Sequence, residues 1–450
     1  MLWSRQFFKT LFSIALPIIV QQFIMTSLNM IDIMMVGQLG ETSVAAVGLA
    51  NQMTFVLIMT MFGVASGAAV FTAQYWGQRD VANIRRVLGI CVSLALAAGG
   101  ITAGLAMLIP EMVLSVYTED LNVIALGSSY LRTLGPAYLF LGVTVCYSFV
   151  LRSTGNVRLP MIVSIGAVAL NTLLNYMLIF GNLGAPALGV QGAAIATLTA
   201  RVLECLVLLL AAYKRRTPVA ATLSQLFDFN FAYFLRYLKT ALPVIANEIV
   251  WSLGITTHNA IYARIGTESI AAFNIAVTIE SLALVLLIGT AHATAIIVGN
   301  HIGAAETEEA VAFARRSILL GVAGSLLLGL AMILSANRIA SIYQITETAR
   351  GLTRALIQMS GLTLWIKSCN IILLIGAIRS GGDTRFGLIS EMGTMWAIGV
   401  PLALLGAFVF RWPVYWVYLL VQTEELVKLS IGLIRFTSRR WIHNLASSPS

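Results

Sequence analysis

One carboxylate stands alone inside the first apolar run of the chain. Asp32 lies within residues 12–36, and Asn29 precedes it by one helical turn. A charged side chain at the centre of a lipid bilayer costs about 2.5–3.5 kcal/mol, so it is expected to face a partner, a cavity or an ion. Because only an ionisable group exchanges a proton or a cation charge, Asp32 is a candidate ion-coupling residue. The alternative is a protonated or hydrogen-bonded structural aspartate.

Two carboxamides share one face of a later apolar run. Asn171 and Asn175 are four residues apart, which places both side chains on the same side of a helix. Their oxygens suit coordination of an ion or a proton relay. They suit equally well interhelical hydrogen bonds, which contribute about 0.6 kcal/mol on average in membranes. The spacing leaves both interpretations open.

The second half of the chain carries its own buried acid next to an aromatic residue. Glu248 and Trp251 are three residues apart in an apolar run and therefore share a helical face. A carboxylate beside an indole ring attracts a lipophilic cation by charge and by cation–π interaction. We predict a substrate-binding role for the pair, and the alternative is a contact that only packs helices.

Further ionisable residues lie in apolar runs of the second half. Glu280 and His258 join Glu248 and Trp251 as candidate substrate-binding residues, although a lone histidine in a helix bundle is more often a hydrogen-bonded packing residue. Arg201 and Glu204, three residues apart in the first half, are predicted to pair with each other and to be structural. The remaining residues of this kind are His292, Lys367 and Glu391.

The composition indicates that these residues lie in a membrane protein. Of the 450 residues, 58% are hydrophobic and only 10% are charged, and the mean hydropathy is +0.88. Soluble domains carry about 25% charged residues, and disordered chains are poor in hydrophobic ones. The apolar runs are unbroken over about twenty residues, the length of a membrane-spanning helix, whereas a barrel would show short alternating strands. The sequence predicts an all-α polytopic membrane protein.

Twelve apolar runs predict twelve spans. Their limits are 12–36, 44–73, 88–110, 129–151, 160–181, 188–212, 237–262, 270–298, 317–336, 353–377, 386–409 and 413–434. We expect an N-terminal six-helix lobe (1–213), an inter-lobe linker (214–236), a C-terminal six-helix lobe (237–436) and a tail (437–450).

Basic residues in the loops predict the orientation. With the N-terminus inside, 20 of the 28 lysines and arginines fall in cytoplasmic segments and 5 in external ones. Because cytoplasmic loops of membrane proteins are enriched in these residues, both termini and the linker are predicted to be cytoplasmic. The net charge of 28 − 19 = +9 is explained in the same way, and we expect no nucleic-acid partner.

The two halves of the chain repeat each other at a nearly constant offset. Pro17 in ALPIIVQQ matches Pro243 in ALPVIANE at an offset of 226 (243 − 17), and LGETSVAA matches IGTESIAA at the same offset. RSTGNVR, from Arg152, matches RSGGDTR, from Arg379, at an offset of 227 (379 − 152). We expect these two segments to form turns that contact lipid headgroups. Six spans per half predict two parallel repeats that handle a substrate between them, as in secondary transporters.

Catalytic and metal motifs do not appear in the sequence. The four cysteines and the four histidines are widely separated, there is no HExxH motif, and no Walker motif indicates ATP-driven transport. A membrane-embedded enzyme would need a cluster of such groups. We therefore expect neither an enzyme nor a bound cofactor, and no disulfide.

The repeated motifs resemble those of a known family. DIMMVGQLG from Asp32, RSTGNVRLP from Arg152 and NTLLNYMLIFGNLGAPALGVQGAAIAT from Asn171 are similar to segments of the multidrug and toxic compound extrusion (MATE) family, and RSGGDTRFG echoes them in the second half. The resemblance covers essentially the whole chain. It implies twelve helices in two six-helix bundles related by a pseudo-two-fold axis.

The resemblance also implies an activity and a set of site residues. It implies an antiporter of the bacterial cytoplasmic membrane that exports organic, mostly cationic compounds in exchange for H⁺ or Na⁺. Asp32 would be the coupling residue, surrounded by Asn171, Asn175 and Thr197, and in a sodium-coupled protein Asp32 and Asn175 would hold the Na⁺. We expect drugs and membrane lipids as partners and a monomeric state.

The sequence departs from parts of the family pattern. Archaeal members carry a second aspartate at the position of Asn175, so a site with two carboxylates does not carry over. One branch has a seventh-helix glutamate that would fall nearer Trp251, and a tenth-helix aspartate that aligns with Ser368. An alternative function with the same general helical plan is a flippase of lipid-linked precursors. Such flippases usually carry more arginines in the central cleft than this chain does.

Overall fold

The structure, a computed structural model, describes residues 5–447. Twelve long helical elements follow one another: α1 (Arg5–Gly37), α2 (Glu41–Gly77), α3 (Val81–Leu108), α4 (Leu121–Leu134 and Ala137–Ser153), α5 (Arg158–Phe180), α6 (Val190–Lys214), α7 (Phe231–Ile265), α8 (Thr267–Gly303), α9 (Thr307–Ile342), α10 (Glu347–Arg379), α11 (Thr384–Val409) and α12 (Val414–Thr437). The described range contains no β-strand, and the all-α fold is confirmed.

Ten of these elements are long and apolar enough to cross a membrane as single helices. The two pieces of α4 pass the same test together and meet at a bend of 53°. The bend follows from Pro136 between the pieces, because proline cannot donate the backbone hydrogen bond of a continuous helix. The twelfth element, α12, has 24 residues, enough for a span, but carries Glu424, Glu425 and Lys428.

The helices extend beyond the predicted spans. α9 begins ten residues before the predicted start at 317, and α1 begins seven residues before 12. Hydropathy marks only the stretch suited to the hydrocarbon layer, whereas helical hydrogen bonding continues into the polar interface. The order and number of the elements agree with the prediction.

Two helices pass from one compact unit of the chain to the other. One unit contains Val20–Ile245, and the other joins the stretch ending at Ile19 to the stretch beginning at Ala246. These breaks are offset by 226 (245 − 19), and each lies two residues after a proline, Pro17 in α1 or Pro243 in α7. The units therefore differ from the chain-order lobes 1–213 and 237–436 in these end segments. Proline removes an internal hydrogen bond from each helix at this place.

The linker between α6 and α7 is held against α3. Arg86 forms an ion pair of 2.7 Å with Asp228, and Arg85 donates to the carbonyl of Pro218 at 3.2 Å. A Cβ on Gly89 would lie 1.7 Å from the carbonyl oxygen of Leu226, so only glycine permits this approach.

The predicted tail also packs against its own unit. Trp441 is fully buried, stacks on Phe436 and donates to its carbonyl at 3.0 Å. Its ring and its carbonyl oxygen pack against Gly381 in the turn after α10, and Asn444 donates to the carbonyl of Ile302 at 3.1 Å. The segment after α12 is thus part of the folded unit as far as the structure describes it.

Candidate functional site

The carboxylate of Asp32 is held by two side chains of α5. Its Oδ1 accepts hydrogen bonds from Nδ2 of Asn175 at 3.0 Å and from Oγ1 of Thr172 at 3.3 Å. The asparagine and the threonine are three residues apart and therefore point to the same side of α5. A carboxylate within a membrane-spanning helix thus has the polar partners that its burial requires.

One acceptor beside this carboxylate has no hydrogen-bond partner. Oδ1 of Asn175 is buried and unpaired, and the residue is only 2% exposed. An unpaired buried oxygen is costly unless a donor or a cation reaches it. Next to the carboxylate of Asp32, this oxygen suits a bound cation or a protonated group.

The other two predicted residues lie beside the same place. Asn171, one turn before Asn175, donates to Oγ1 of Thr197 in α6 at 3.3 Å. Tyr130 of α4 contacts Thr197 and is close enough to Asp32 to act on it electrostatically. The structure therefore brings Asp32, Asn171, Asn175 and Thr197 together and adds Thr172 and Tyr130 to them.

A cavity opens next to these residues within the same unit. It is small and partly open, and it is lined by residues of α1, α5 and α6. Asn29, Asn171 and Thr197 contribute polar groups to its wall, and Arg201 and Glu204 close one part. The cavity is large enough for a single ion.

The ion pair predicted in α6 is confirmed. Arg201 and Glu204 are joined by a contact of 2.7 Å, and the second carboxylate oxygen of Glu204 accepts from Ser164 at 2.8 Å. Both oxygens of Glu204 are therefore satisfied inside the bundle, which fits the structural role expected of this pair.

In the second half, Glu248 is bound to a basic residue. Its Oε1 lies 3.0 Å from Nη2 of Arg379 at the end of α10, and both side chains are largely buried. Trp251 is 41% exposed, so the indole and the carboxylate differ in their surroundings. Glu248, predicted to bind substrate with Trp251, is thus ion-paired in the structure.

Glu280 is also neutralised. Its carboxylate accepts from Nζ of Lys367 at 2.5 Å and from the hydroxyl of Tyr418 at 3.2 Å, and Lys367 donates to the same hydroxyl at 2.9 Å. All three groups are satisfied by one another, which is the condition for burying charge in a bundle.

The four candidate substrate-binding residues do not form one cluster. Glu248 pairs with Arg379 and Glu280 with Lys367, and these two partners are twelve residues apart on α10. The two partners are therefore about three helical turns apart along α10. His258 is buried beside the backbone of Gly399 in α11.

Two arginines in the repeated turns have a role that the sequence analysis missed. Arg152 donates to Oε1 of Gln21 in α1 at 2.8 Å, and its repeat counterpart Arg379 binds Glu248 in α7. Each turn thus fastens the first helix of its half just after the helix proline. The expectation of headgroup contacts was wrong for these two residues. The nearly equal offsets of the arginines (379 − 152 = 227) and of the prolines (243 − 17 = 226) could have indicated that each turn contacts the first helix of its half.

Two cysteines that are distant in sequence are neighbours in space. Cys91 of α3 and Cys146 of α4 are free thiols with their sulfurs 2.9 Å apart. The sequence did not predict this contact, because the two cysteines are far apart along the chain and the contact depends on how α3 packs against α4. Cys205 and Cys369 are buried and free.

Fold and site together define a class of protein. A duplicated bundle of long apolar helices with a half-buried carboxylate beside a polar cavity is the architecture of a secondary transporter. The MatE family model matches residues 17–177 and 243–405, and the two matched segments begin at an offset of 226 (243 − 17), which confirms the internal repeat. The chain belongs to the MatE family, the multidrug and toxic compound extrusion transporters.

Relatives and solved structures match over the full chain. The "Uncharacterized transporter YisQ" of Bacillus subtilis is 26% identical over 96% of this chain and 95% of that protein. The "Probable multidrug resistance protein NorM" of Thermotoga maritima is 23% identical over 96% of this chain and 93% of that protein. A crystal structure of a Vibrio cholerae MATE transporter, VcmN, superimposes with a TM-score of 0.88 at 18% identity, over 96% of this chain and 97% of that one. This last likeness shows the shared fold.

Proposed function

We propose that this chain is a multidrug efflux antiporter that exports organic, mostly cationic compounds in exchange for H⁺ or Na⁺. Membership in the MatE family and relatives that carry the name multidrug resistance protein support the proposal. The observation that carries the coupling is the Asp32 carboxylate, held by Thr172 and Asn175 next to an unpaired amide oxygen.

Asp32 would couple ion binding to the position of α1. In its ionised form the carboxylate accepts two hydrogen bonds from α5, and bonds to a charged acceptor are stronger than bonds to a neutral one. A proton or a sodium ion neutralises this charge and weakens the hold of α5 on α1. Exchange of the ion would then change the arrangement of α1 and α5 around the cavity.

The residues around Asp32 suit either ion. A proton would bind to the carboxylate itself, and the unpaired Oδ1 of Asn175 would accept from the resulting acid. A sodium ion would take oxygen ligands from Asp32 and Asn175, with the hydroxyls of Thr172 and Thr197 as further donors of the type that hard cations prefer.

We also propose the cellular setting. The chain would reside in the bacterial cytoplasmic membrane as a monomer in contact with lipids, with both termini in the cytoplasm. The support is the excess of basic residues in one set of loops, 20 against 5, which is the usual mark of the cytoplasmic side.

Efflux measurements in everted vesicles test the function. Vesicles that contain the protein are energised by an imposed H⁺ or Na⁺ gradient, and uptake of a fluorescent organic cation is followed. We expect gradient-driven uptake with one of the two ions, and none in vesicles from cells without the protein. Uptake that needs neither gradient, or flipping of a labelled lipid-linked precursor in place of cation transport, would overturn the proposal.

A further inference from the structure

Two buried titratable side chains of the second unit each have an atom without a hydrogen-bond partner. They are Oε2 of Glu424 in α12 and Nε2 of His258 in α7, and these residues are 4% and 5% exposed. Such groups are costly to bury unless they serve a purpose or receive a ligand. Neither is used by the site around Asp32.

Both side chains lie against the same glycine. A Cβ on Gly399 would be 1.7 Å from Oε2 of Glu424, so the carboxyl group rests directly on the backbone of α11. The ring of His258 lies beside the backbone of that glycine. Gly399 ends a π-helical segment, Met395–Gly399, and such segments recur at functional sites.

The surrounding charges leave Glu424 without a counterion. Lys367 is bound by Glu280, and Lys428 lies 2.9 Å from both Glu391 and Glu425. Among the described residues Glu424 makes no ion pair, although α10, α11 and α12 all bring charges near it. The titratable groups around it are His258 and Tyr262 of α7, Glu280 of α8, Lys367 of α10, Glu391 of α11, and Tyr418, Glu425 and Lys428 of α12.

The internal repeat places this group at the counterpart of the Asp32 site. His258 follows Asp32 at an offset of 226 (258 − 32), and Gly399 follows Thr172 at an offset of 227 (399 − 172). Glu424 lies in α12, which repeats α6, and the first residues of these two helices are offset by 224 (414 − 190). The helices involved, α7, α11 and α12, repeat α1, α5 and α6.

A basic residue of the last helix lies near the carboxyl group in each half. Arg201 of α6 acts electrostatically on Asp32, and Lys428 of α12 acts on Glu424. Each half thus has a carboxyl group among corresponding helices, half-buried on the first helix in one half and buried on the last helix in the other.

We propose that Glu424, next to His258, is a second proton-binding site of this protein, on the helices that repeat those around Asp32. A buried carboxyl without a counterion is most stable as the neutral acid. The proton is taken from the aqueous phase onto the carboxylate and returned to it when the bundle rearranges. The nearby ammonium group of Lys428 opposes a metal cation at this place. The transport consequence of this inference rests on the proposed function, but proton binding itself does not.

Infrared spectroscopy of the purified, lipid-reconstituted protein tests the site directly. Difference spectra between acid and alkaline pH show the carbonyl stretch of each carboxylic acid that gains a proton. Using the Asp32→Asn variant as background removes the first site. We expect an acid band in this background and its loss in the D32N/E424Q double variant.

The adjacent glutamate provides a matched control. Glu425 accepts from Lys428 at 2.9 Å and from Asn370 at 2.6 Å and should stay ionised, so E425Q in the same background should keep the band. A band that persists in E424Q, or that disappears only in E425Q, would overturn the proposal.

A second variant tests the site without removing a titratable group. Gly399→Ala would push the Glu424 carboxyl from its place, and we expect the acid band to shift in frequency as the acid finds a hydrogen-bond partner. If E424Q does not yield folded protein, Gly399→Ala alone tests whether the acid band belongs to Glu424. A band that is unchanged in Gly399→Ala would refute that assignment.

The measurement separates the site from the transport function. It needs no substrate and no gradient, so an acid band that depends on Glu424 in a protein without gradient-driven efflux would keep the site and reject the proposed function. Gradient-driven efflux by a protein that shows no such band would keep the proposed function and reject the proton-binding site.

Discussion

Arg379 and Glu248 form an ion pair of 3.0 Å between α10 and α7, and in the first half Arg152, the counterpart of Arg379, donates at 2.8 Å to Gln21, whose own counterpart is the residue before Glu248. Both halves thus link a turn to the first helix of the half. The second half uses an ion pair between two charged residues, and the first half uses a hydrogen bond from one charged residue to an amide. This pairing changes what is expected of Glu248, which the sequence alone suggested as a binding site for cationic substrates.

We predict that Glu248→Gln lowers the amount of folded transporter and affects cationic and neutral substrates alike. Removing one partner of a buried ion pair costs about 3–5 kcal/mol, because the other charge stays buried. The double change E248Q/R379Q should recover part of the loss. The measurement is thermal unfolding of the purified variants with a resistance profile normalised to membrane protein level. Glu347→Gln, at an exposed pair with Arg350, is the control and should change little. A selective loss of cation export in E248Q would restore the substrate role.

The second prediction concerns coupling. Asp32→Asn should abolish gradient-driven efflux while the protein remains inserted and folded, because an amide keeps the size of the side chain but exchanges no charge. Efflux and membrane abundance are measured side by side. Asp120→Asn, at the exposed start of α4, is the matched control, since its oxygen only caps the helix and an amide also caps. Efflux by D32N equal to that of the native chain would exclude Asp32 from the mechanism.

The third prediction uses the two neighbouring thiols. A membrane-permeant oxidant should join Cys91 and Cys146 and remove two alkylatable thiols, since their sulfurs are 2.9 Å apart. Mass spectrometry of the alkylated protein gives the count. The C91S variant should lose no thiol pair, and C205S should behave as the native protein. Independent reactivity of all four thiols would contradict the packing of α3 against α4.

The fourth prediction concerns orientation. A cysteine in place of Ser224, in the exposed part of the linker, should react with an impermeant maleimide only after the membrane is opened, because the linker is predicted to be cytoplasmic. Glu119→Cys, in the exposed turn between α3 and α4, should react in intact cells. The opposite pattern for the two positions would invert the topology.

Much of the fold follows from local properties of the sequence. Apolar runs about twenty residues long predict helices because only helices satisfy the backbone within one segment. The offset of 226 predicts the repeat, which the two matched segments of the family model confirm. The shared face of Asn171 and Asn175 follows from helical periodicity, and so does the pair of Arg201 and Glu204 three residues apart.

Only the tertiary structure decided which charges are paired across the bundle. Glu280 and Lys367 lie on different helices, α8 and α10, and so do Glu248 of α7 and Arg379 of α10. Such contacts depend on which helices are neighbours and on how each helix is rotated about its axis. Helical periodicity predicts neither. The sequence therefore identified some of the buried ionisable residues, such as Glu204 and Glu280, because burial follows in part from local hydropathy, but it did not single out Glu424. The packing determined that Glu248 and Glu280 are neutralised and that Glu424 is left without a counterion, because pairing depends on distances between helices.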